Sequence, residues 1–242
     1  MTTLRKVVRS SLADDAHASI RNAIVRGAFP PGQQLVETRI AEEVGVGRGT
    51  AREALRRLRD EGLVVGSPNR GVFVRKLDLK DIVDMYNLRT GVEGVAIRLC
   101  ARAGAPTDGL WKSVEEMRAR AERNDIAGLS DREVSFHEEL CRQSGNDYIV
   151  AAFRAVSGAV RLTFASEYAS YADPLEVAAE HVPLIEAIEA GDEEHAVATL
   201  VAHLDIVKSI EHARLQLGTP ADGSRGRLVS RAGIAGWESA GS

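Results

Sequence analysis

The sequence predicts a mainly α-helical chain built from two modules, and three observations carry that prediction. Alanine and leucine are abundant while aromatic residues make up only 5% of the 242 residues, a balance that favours helices. Residues 1–76 hold 14 Lys and Arg against 8 Asp and Glu, an excess of +6, whereas the remainder carries −10 and the whole chain −4. A basic segment joined to an acidic body points to a nucleic-acid-binding module attached to something else. Along the chain, apolar residues recur at helical spacing between breaks rich in Gly, Pro, Asn and Asp.

The elements follow in order. A first helix is expected from about Val8 to Arg26, with Leu12, Ala16, Ile20, Ala23 and Ile24 on its apolar side. Gly27 suits its C-terminal cap, and Pro30-Pro31-Gly32 cannot continue it. A short second helix, about Glu37 to Glu43, places Ile40, Ala41 and Val44 on one side, with Thr38 as its expected cap. Gly45 and Gly47 make a turn into a third helix, Thr50 to Glu61. Gly62 ends that helix, and Leu63-Val64-Val65 and the strand at 72–75 flank a turn at Ser67-Pro68-Asn69-Arg70-Gly71.

From Leu79 onward the pattern is all helix, near 79–103, 108–123, 126–143, 147–170, 175–190 and 192–213. The short breaks favour antiparallel neighbours in a bundle. The residues after 214 include six glycines without periodicity and read as a disordered tail. The expected segments are therefore 1–76, 77–214 and 215–242. The fold class is mainly α: an N-terminal winged helix-turn-helix plus a C-terminal all-α antiparallel helical bundle.

No run of about 18 apolar residues is present, so no membrane span is expected. The first residues lack the apolar core of a signal peptide. Cys100 and Cys141 have no CxxC spacing and read as buried free thiols in a reducing compartment, so the expected location is the cytoplasm.

The third helix carries the first candidate site. Ala51, Ala54, Leu55 and Leu58 give it an apolar face, and Arg48, Arg52, Arg56 and Arg59 form an adjoining stripe at three- and four-residue steps. Arginine can fork onto guanine O6 and N7 or clamp phosphates. Gly49 and Thr50 are small enough for the backbone to approach DNA, and helix N-terminal amides bind phosphate. The hairpin with Asn69, Arg70 and Gly71 at its tip is a candidate wing. Arginines on a lone helix would more often be a solvated face. The ordered set of helix, helix, glycine turn, helix and hairpin tips the reading toward DNA.

These residues make a specific resemblance. The stretches "IRNAIVRGAFPPGQQL", "IAEEVGVGRGTAREALRRLRDEGLV" and "PNRGVFV" resemble the winged helix-turn-helix of GntR-family bacterial transcription regulators. Gly47, Gly49 and Thr50 stand where the family pattern has Ser, Thr and Pro. The resemblance implies that Arg48 and Arg52 contact bases or phosphates and that Gly71 marks the wing turn. "LRTGVEGVAIRLCA", "EVSFHEELCRQSGN" and "EHVPLIEAIEAGDEEHAVATLVAHL" resemble the FCD ligand-binding domain of the FadR subgroup, and six helices point to its VanR-like branch.

Glu133 and His137 are four apart on one expected helix and share a face; His181 falls on the fifth helix of the bundle and His203 on the sixth. Three histidines and a carboxylate converging inside a bundle would bind a divalent ion. Imidazole suits Zn, Ni, Cu or Fe, and a carboxylate widens the choice, so Zn is expected, with Ni, Mn or Fe as alternatives. Family members that bind metal carry Asp four residues before the first His; here that position is Glu133, while Asp131 points elsewhere. A lone histidine is more often an ordinary satisfied polar residue, and the combined spacing and resemblance favour metal. His195 and His212 read as surface residues, and His17 as lacking a partner.

Arg89 matches a family arginine that faces the effector pocket, where it would clamp a carboxylate; a salt bridge to Glu93 at i+4 is the competing role. The resemblance implies a small organic acid effector, a homodimer and a double-stranded DNA operator, with residues 75–80 linking the modules. The competing function is a metal-dependent enzyme acting on a small acid. Di-metal bundles need paired Glu-x-x-His motifs; Asp192 to His195 is the nearest approach, single and with Asp. Neither a phosphate-binding glycine loop nor a nucleophile elbow is present, so the expectation is a ligand-responsive transcription regulator, of repressor type, and not an enzyme.

Overall fold

The computed structural model describes residues 12–67, 71–168 and 171–205. The first module opens with α1, Leu12–Val25, whose Ala16, Ile20 and Ile24 are buried at helical spacing while Leu12, in the first turn, is exposed. A two-residue strand, β1 (Gln34–Leu35), precedes α2 (Glu37–Val44). Val36 caps α2 without a side-chain hydrogen bond, so Thr38 is not its cap; it already lies inside the first turn. Gly45 takes the left-handed conformation (φ 72°) that closes α2, and α3 runs over Arg48–Asp60, two residues earlier than its apolar pattern suggests.

The apolar face of α3 is buried at Ala51, Ala54, Leu55 and Leu58, and it packs on α1 and α2. β2 (Val64–Ser67) and β3 (Gly71–Val74) pair antiparallel with Val65 opposite Phe73. β1 joins on the other side of β3, Leu35 opposite Val72, giving the sheet order β1-β3-β2. That third strand carries no sequence signal of its own; it exists because β3 offers it hydrogen bonds. The result is a winged helix-turn-helix.

The second module is helical: α4 (Leu79–Ala103), α5 (Asp108–Ala121), α6 (Ile126–Gln143), α7 (Asp147–Glu167), α8 (Leu175–Ala179), α9 (Val182–Ala190) and α10 (Glu193–His203). The polar breaks are caps. Asp78 and Asp81 form a capping box on α4, and Asp125, Asn146 and Asp192 each accept a backbone N–H at the start of α6, α7 and α10. The span expected as one helix over 175–190 is two, because Pro183 starts α9 and cannot donate the hydrogen bond that a continuous helix needs. Among the described residues seven helices thus stand where six were expected. His181 therefore sits at the joint between α8 and α9, not within a helix.

Ile97, Leu110, Met117, Phe136, Leu140, Phe153 and Leu184 are among the fully buried side chains of the bundle core. Cys100 and Cys141 are buried free thiols; burial pushes the Cys100 thiol up to about 11. Among the described residues one helix, α7, is long and apolar enough to cross a membrane, yet 56% of its most apolar stretch is buried, with Phe153 and Phe164 turned into the core. Its apolarity is that of a central bundle helix. The expected tail and residues 206–213 lie outside the described residues.

The modules touch where the α3–β2 turn meets α7. The Gly158 N–H donates to the Glu61 carbonyl at 2.7 Å, and Leu162 packs on the core of the first module. A Cβ at Gly158 would lie 2.3 Å from that carbonyl oxygen and 2.5 Å from the Leu63 nitrogen. Backbone cannot yield there without separating the modules. Gly158→Ala is therefore expected to destabilise the chain by roughly 1–3 kcal/mol, the range for overpacking a close contact, seen as a lower melting temperature in calorimetry. A wild-type melting curve would contradict this docking.

Candidate functional site

Two regions of the structure concentrate chemistry. The first is the outer face of α3. Arg48, Arg52, Arg56 and Arg59 are all exposed, as one stripe adjoining the buried Ala and Leu residues. Arg52 donates through Nε to Glu37 of α2 at 2.9 Å, and Arg56 pairs with Glu53 at 2.7 Å and Asp60 at 2.8 Å. Exposed pairs of this kind contribute little to stability and exchange readily for another anion. Arg57 turns the other way, to Asp14. Gly47 begins α3 in an extended conformation and supplies no side-chain cap, so the amides near Gly49 and Thr50 have no side-chain partner at that cap. Gly71 opens β3 at φ 98°, where a Cβ would lie 2.7 Å from Gln34 Nε2, so the hairpin requires glycine there. Arg70 lies outside the described residues.

The second region is inside the bundle. Glu133 and His137 project from α6, His181 from the α8–α9 joint, and His203 from the end of α10. One ligand-capable atom from each lies within 4.8 Å of all the others. His137 Nε2 is 3.2 Å from Glu133 Oε1, His181 Nε2 is 3.0 Å from Glu133 Oε2, and the Nε2 atoms of His203 and His137 are 3.3 Å apart. Glu133, His137 and His181 are buried and His203 is half-buried.

Hydrogen bonds behind the rings set their tautomers. His181 Nδ1 lies 2.7 Å from the Val177 carbonyl, and His137 Nδ1 lies 2.6 Å from a Glu93 carboxylate oxygen. Carbonyl and carboxylate oxygens only accept, so both Nδ1 atoms carry hydrogen and neutral rings present Nε2 lone pairs inward. Those lone pairs face the Glu133 carboxylate, which is itself an acceptor. His181 Nε2 and His203 Nδ1 make no hydrogen bond of good geometry. Acceptors converging on acceptors require a cation between them, either a proton or a metal ion.

The electrostatics agree. Burial alone would raise the Glu133 carboxyl, but His181 and His137 beside it hold it well below the usual carboxylate range. Burial would lower His137, and the Glu93 carboxylate outweighs it, so the net direction is up. Burial, reinforced by His181 and His137, drives His203 well below the ordinary imidazole value.

Arg89 makes the salt bridge to Glu93 that was one of its two expected roles. Its Nε donates to Glu93 Oε1 at 2.6 Å, while its Nη2 is buried without a hydrogen-bond partner. The same guanidinium lines a cavity of about 370 Å³ shared with Tyr86, Glu133, His181 and His203. Glu93 is the functional residue that sequence reasoning undervalued: it bridges Arg89 and His137. The i+4 spacing signals the first contact; nothing local signals the second, which spans 44 residues. His17, expected to lack a partner, lies 2.8 Å from Glu61, because the end of α3 folds back over α1. His195 is exposed, as expected, and His212 lies outside the described residues.

A winged helix-turn-helix with an exposed arginine face, joined to a helical bundle, fits a DNA-binding regulator with a second, all-helical domain. Comparison with known proteins specifies which. The sequence pattern of the bacterial regulatory proteins of the gntR family matches residues 12–74, and that of the FCD domain matches residues 84–206. The chain belongs to the GntR family of transcription regulators, in its FCD-containing form. It is 32% identical over 210 residues to a probable D-xylose utilization operon transcriptional repressor of Paenarthrobacter nicotinovorans, covering 84% of this chain and 89% of that protein. It is 37% identical over 130 residues to an HTH-type transcriptional regulator encoded in the TAR-I ttuE-ttuC' intergenic region of Agrobacterium vitis, covering 52% of this chain and 76% of the other. Among solved structures, a GntR regulator from Rhodococcus sp. RHA1 superposes with a TM-score of 0.66 at 26% identity, over 86% of this chain and 98% of that one.

The buried charges generate a prediction that needs no ligand. Glu93→Ala would strand Arg89 and His137 without their shared carboxylate, and breaking a buried pair from one side costs about 3–5 kcal/mol. Denaturant unfolding of chelator-treated protein should show a loss of that order; an unchanged midpoint would contradict the bridging role.

Proposed function

We infer that this regulator is a homodimeric repressor whose residues 1–76 bind a double-stranded operator and whose residues 77–214 bind a divalent ion and a small organic acid. On the DNA side, α3 enters the major groove. Arg48 and Arg52 reach bases or phosphates, Gly49 and Thr50 allow close backbone approach, Arg56 adds a phosphate contact, and Arg70 and Gly71 add further contacts to DNA. The name of the P. nicotinovorans relative supports repression rather than activation.

One observation carries the sensing half: two Nε2 lone pairs and a buried carboxylate converge beside an unpartnered Arg89 nitrogen. That donor set fits a metal ion. Glu133, His137, His181 and His203 would hold Zn, with Ni, Mn or Fe as alternatives, and the ion would supply positive charge for an incoming carboxylate. Glu93 and the Val177 carbonyl orient two of the rings. Arg89 Nη2, free of hydrogen bonds to protein, donates to the acid. Tyr86 and Phe153, each within 6 Å of the guanidinium, keep it in place. The cavity's size suits a small acid and not a polymer. We read this arrangement as binding the acid rather than turning it over, because the relative that spans most of this chain is named as a transcriptional repressor.

Two variants test the halves separately. Arg52→Ala should weaken operator binding about tenfold or more in a fluorescence titration while leaving the melting curve unchanged; wild-type affinity would refute the recognition-helix assignment. His137→Ala should reduce bound metal from about one ion per chain to near none, measured by elemental analysis after gel filtration. A mutant carrying the wild-type ratio would exclude the cluster as the binding site.

A further inference from the structure

Helix α6 touches both modules, with different chemistry on its two sides. Glu133 and His137 face the cluster. Asp131 is two residues from Glu133, about 200° around the helix axis, and it faces the DNA-binding module. Its Oδ2 accepts from Arg21 Nη2 of α1 at 2.8 Å, and its Oδ1 accepts from Arg161 Nε of α7 at 3.2 Å. All three side chains are largely withdrawn from water, at 18%, 16% and 9% exposure for Arg21, Asp131 and Arg161. One carboxylate therefore holds two guanidiniums that would otherwise repel each other in a poorly solvated seam. Burial, with Arg21 nearby, pushes the Arg161 pKa down, which reflects how much that seam relies on its acidic groups.

Two further contacts make the attachment directional. Asp125, the cap of α6, accepts from Arg26, the residue after α1, at 3.2 Å as well as from the Gly128 amide at 3.1 Å. Asp131 thus holds α1, and Asp125 the residue that follows it, from the start of the same helix. On α7, the backbone bond between Gly158 and Glu61 fixes the end of α3. The DNA-binding module is consequently held by α6 and α7, and α6 is also the helix that supplies two of the four cluster residues.

We propose that α6 is a lever, and that the Asp131 clamp on Arg21 and Arg161 couples occupancy of the Glu133–His137–His181–His203 cluster to the position of α1. The coupling rests on the metal reading of the cluster; the clamp itself does not. An ion drawing Glu133 and His137 toward His181 and His203 fixes α6 from the inside. Through Asp131, that fixes α1 and tightens the hold on the DNA-binding module. Such transmission needs a physical element biased by both sites, and α6 is that element.

The test is hydrogen–deuterium exchange with mass spectrometry on the full chain, chelator-treated or loaded with zinc chloride, as wild type, Asp131→Asn and Arg21→Gln. Without metal, both variants should exchange amides of α1 at least tenfold faster than wild type, while core amides of α4 and α5 are unchanged. With zinc, wild type should slow in both α6 and α1. The variants should take up zinc at the wild-type ratio and slow in α6 alone. Unchanged α1 exchange in both chelated variants overturns the clamp. Zinc that binds and protects α6 but leaves wild-type α1 untouched overturns the coupling while the metal reading stands. Zinc that wild type does not take up refutes the metal reading and the coupling with it, and the chelated comparison then decides the clamp by itself.

Discussion

The bundle is organised around one difficult physical problem, a set of charges taken out of water. Arg89, Glu93, Glu133, His137 and His181 are buried together. Isolated, each ionised group would cost several kcal/mol to desolvate. The structure answers with a chain of contacts: Arg89 to Glu93, Glu93 to His137, His137 and His181 to Glu133. The contacts run unbroken from Arg89 to Glu133, yet Arg89 Nη2 has no hydrogen-bond partner, and at the other end imidazole lone pairs meet a carboxylate. The rest of the helical module serves this arrangement. The break at Pro183 puts His181 at a joint, where it reaches inward without a helical turn in the way. The short α10 ends at His203, so that ring closes the site.

The DNA-binding module is built to the opposite pattern. The ion pairs on the outer face of α3 are exposed and screened by water, and the core where α3 meets α1 and α2 is apolar apart from His17, buried beside Glu61. An interior fixed by apolar packing leaves the arginine face of α3 available for exchange with phosphate. The two patterns meet at α6 and α7. There the seam is neither a dry core nor a wet surface but a narrow band of ion pairs beside a close glycine contact. Polar seams of this kind hold an orientation without burying enough apolar area to make it permanent.

Much of this was legible in the sequence, for identifiable reasons. Helix positions followed from turn and break residues: Gly45, Gly104, Asp125, Asn146 and Asp192 each act locally, and local chemistry is written locally, whereas the capping box of α4 went unread, its Asp78 lying inside the expected linker. The α8–α9 break was also written, in Pro183, but the apolar periodicity around it read through as one helix. β1 left no trace, since two residues become a strand only when β3 is beside them. At the internal site, spacing revealed that Glu133 and His137 share a face. That His181 and His203 meet them came from family resemblance, because no spacing encodes the approach of three separate segments. Glu93 was visible only as a partner of Arg89. Its reach to His137, like that of His17 to Glu61, is tertiary and lies beyond any reading of periodicity.

The central claim is that the convergence of three imidazoles and Glu133 is a metal site and not a proton-filled polar core. X-ray absorption spectroscopy of the full chain, loaded with one equivalent of zinc and freed of excess ion, tests it most directly. The account predicts tight uptake and a first shell dominated by imidazole nitrogen at about 2.0–2.1 Å with a carboxylate oxygen beside it. Zinc that washes off, or a spectrum of oxygen ligands without imidazole scattering, would contradict it and return the cluster to the class of buried histidines that share protons with a glutamate.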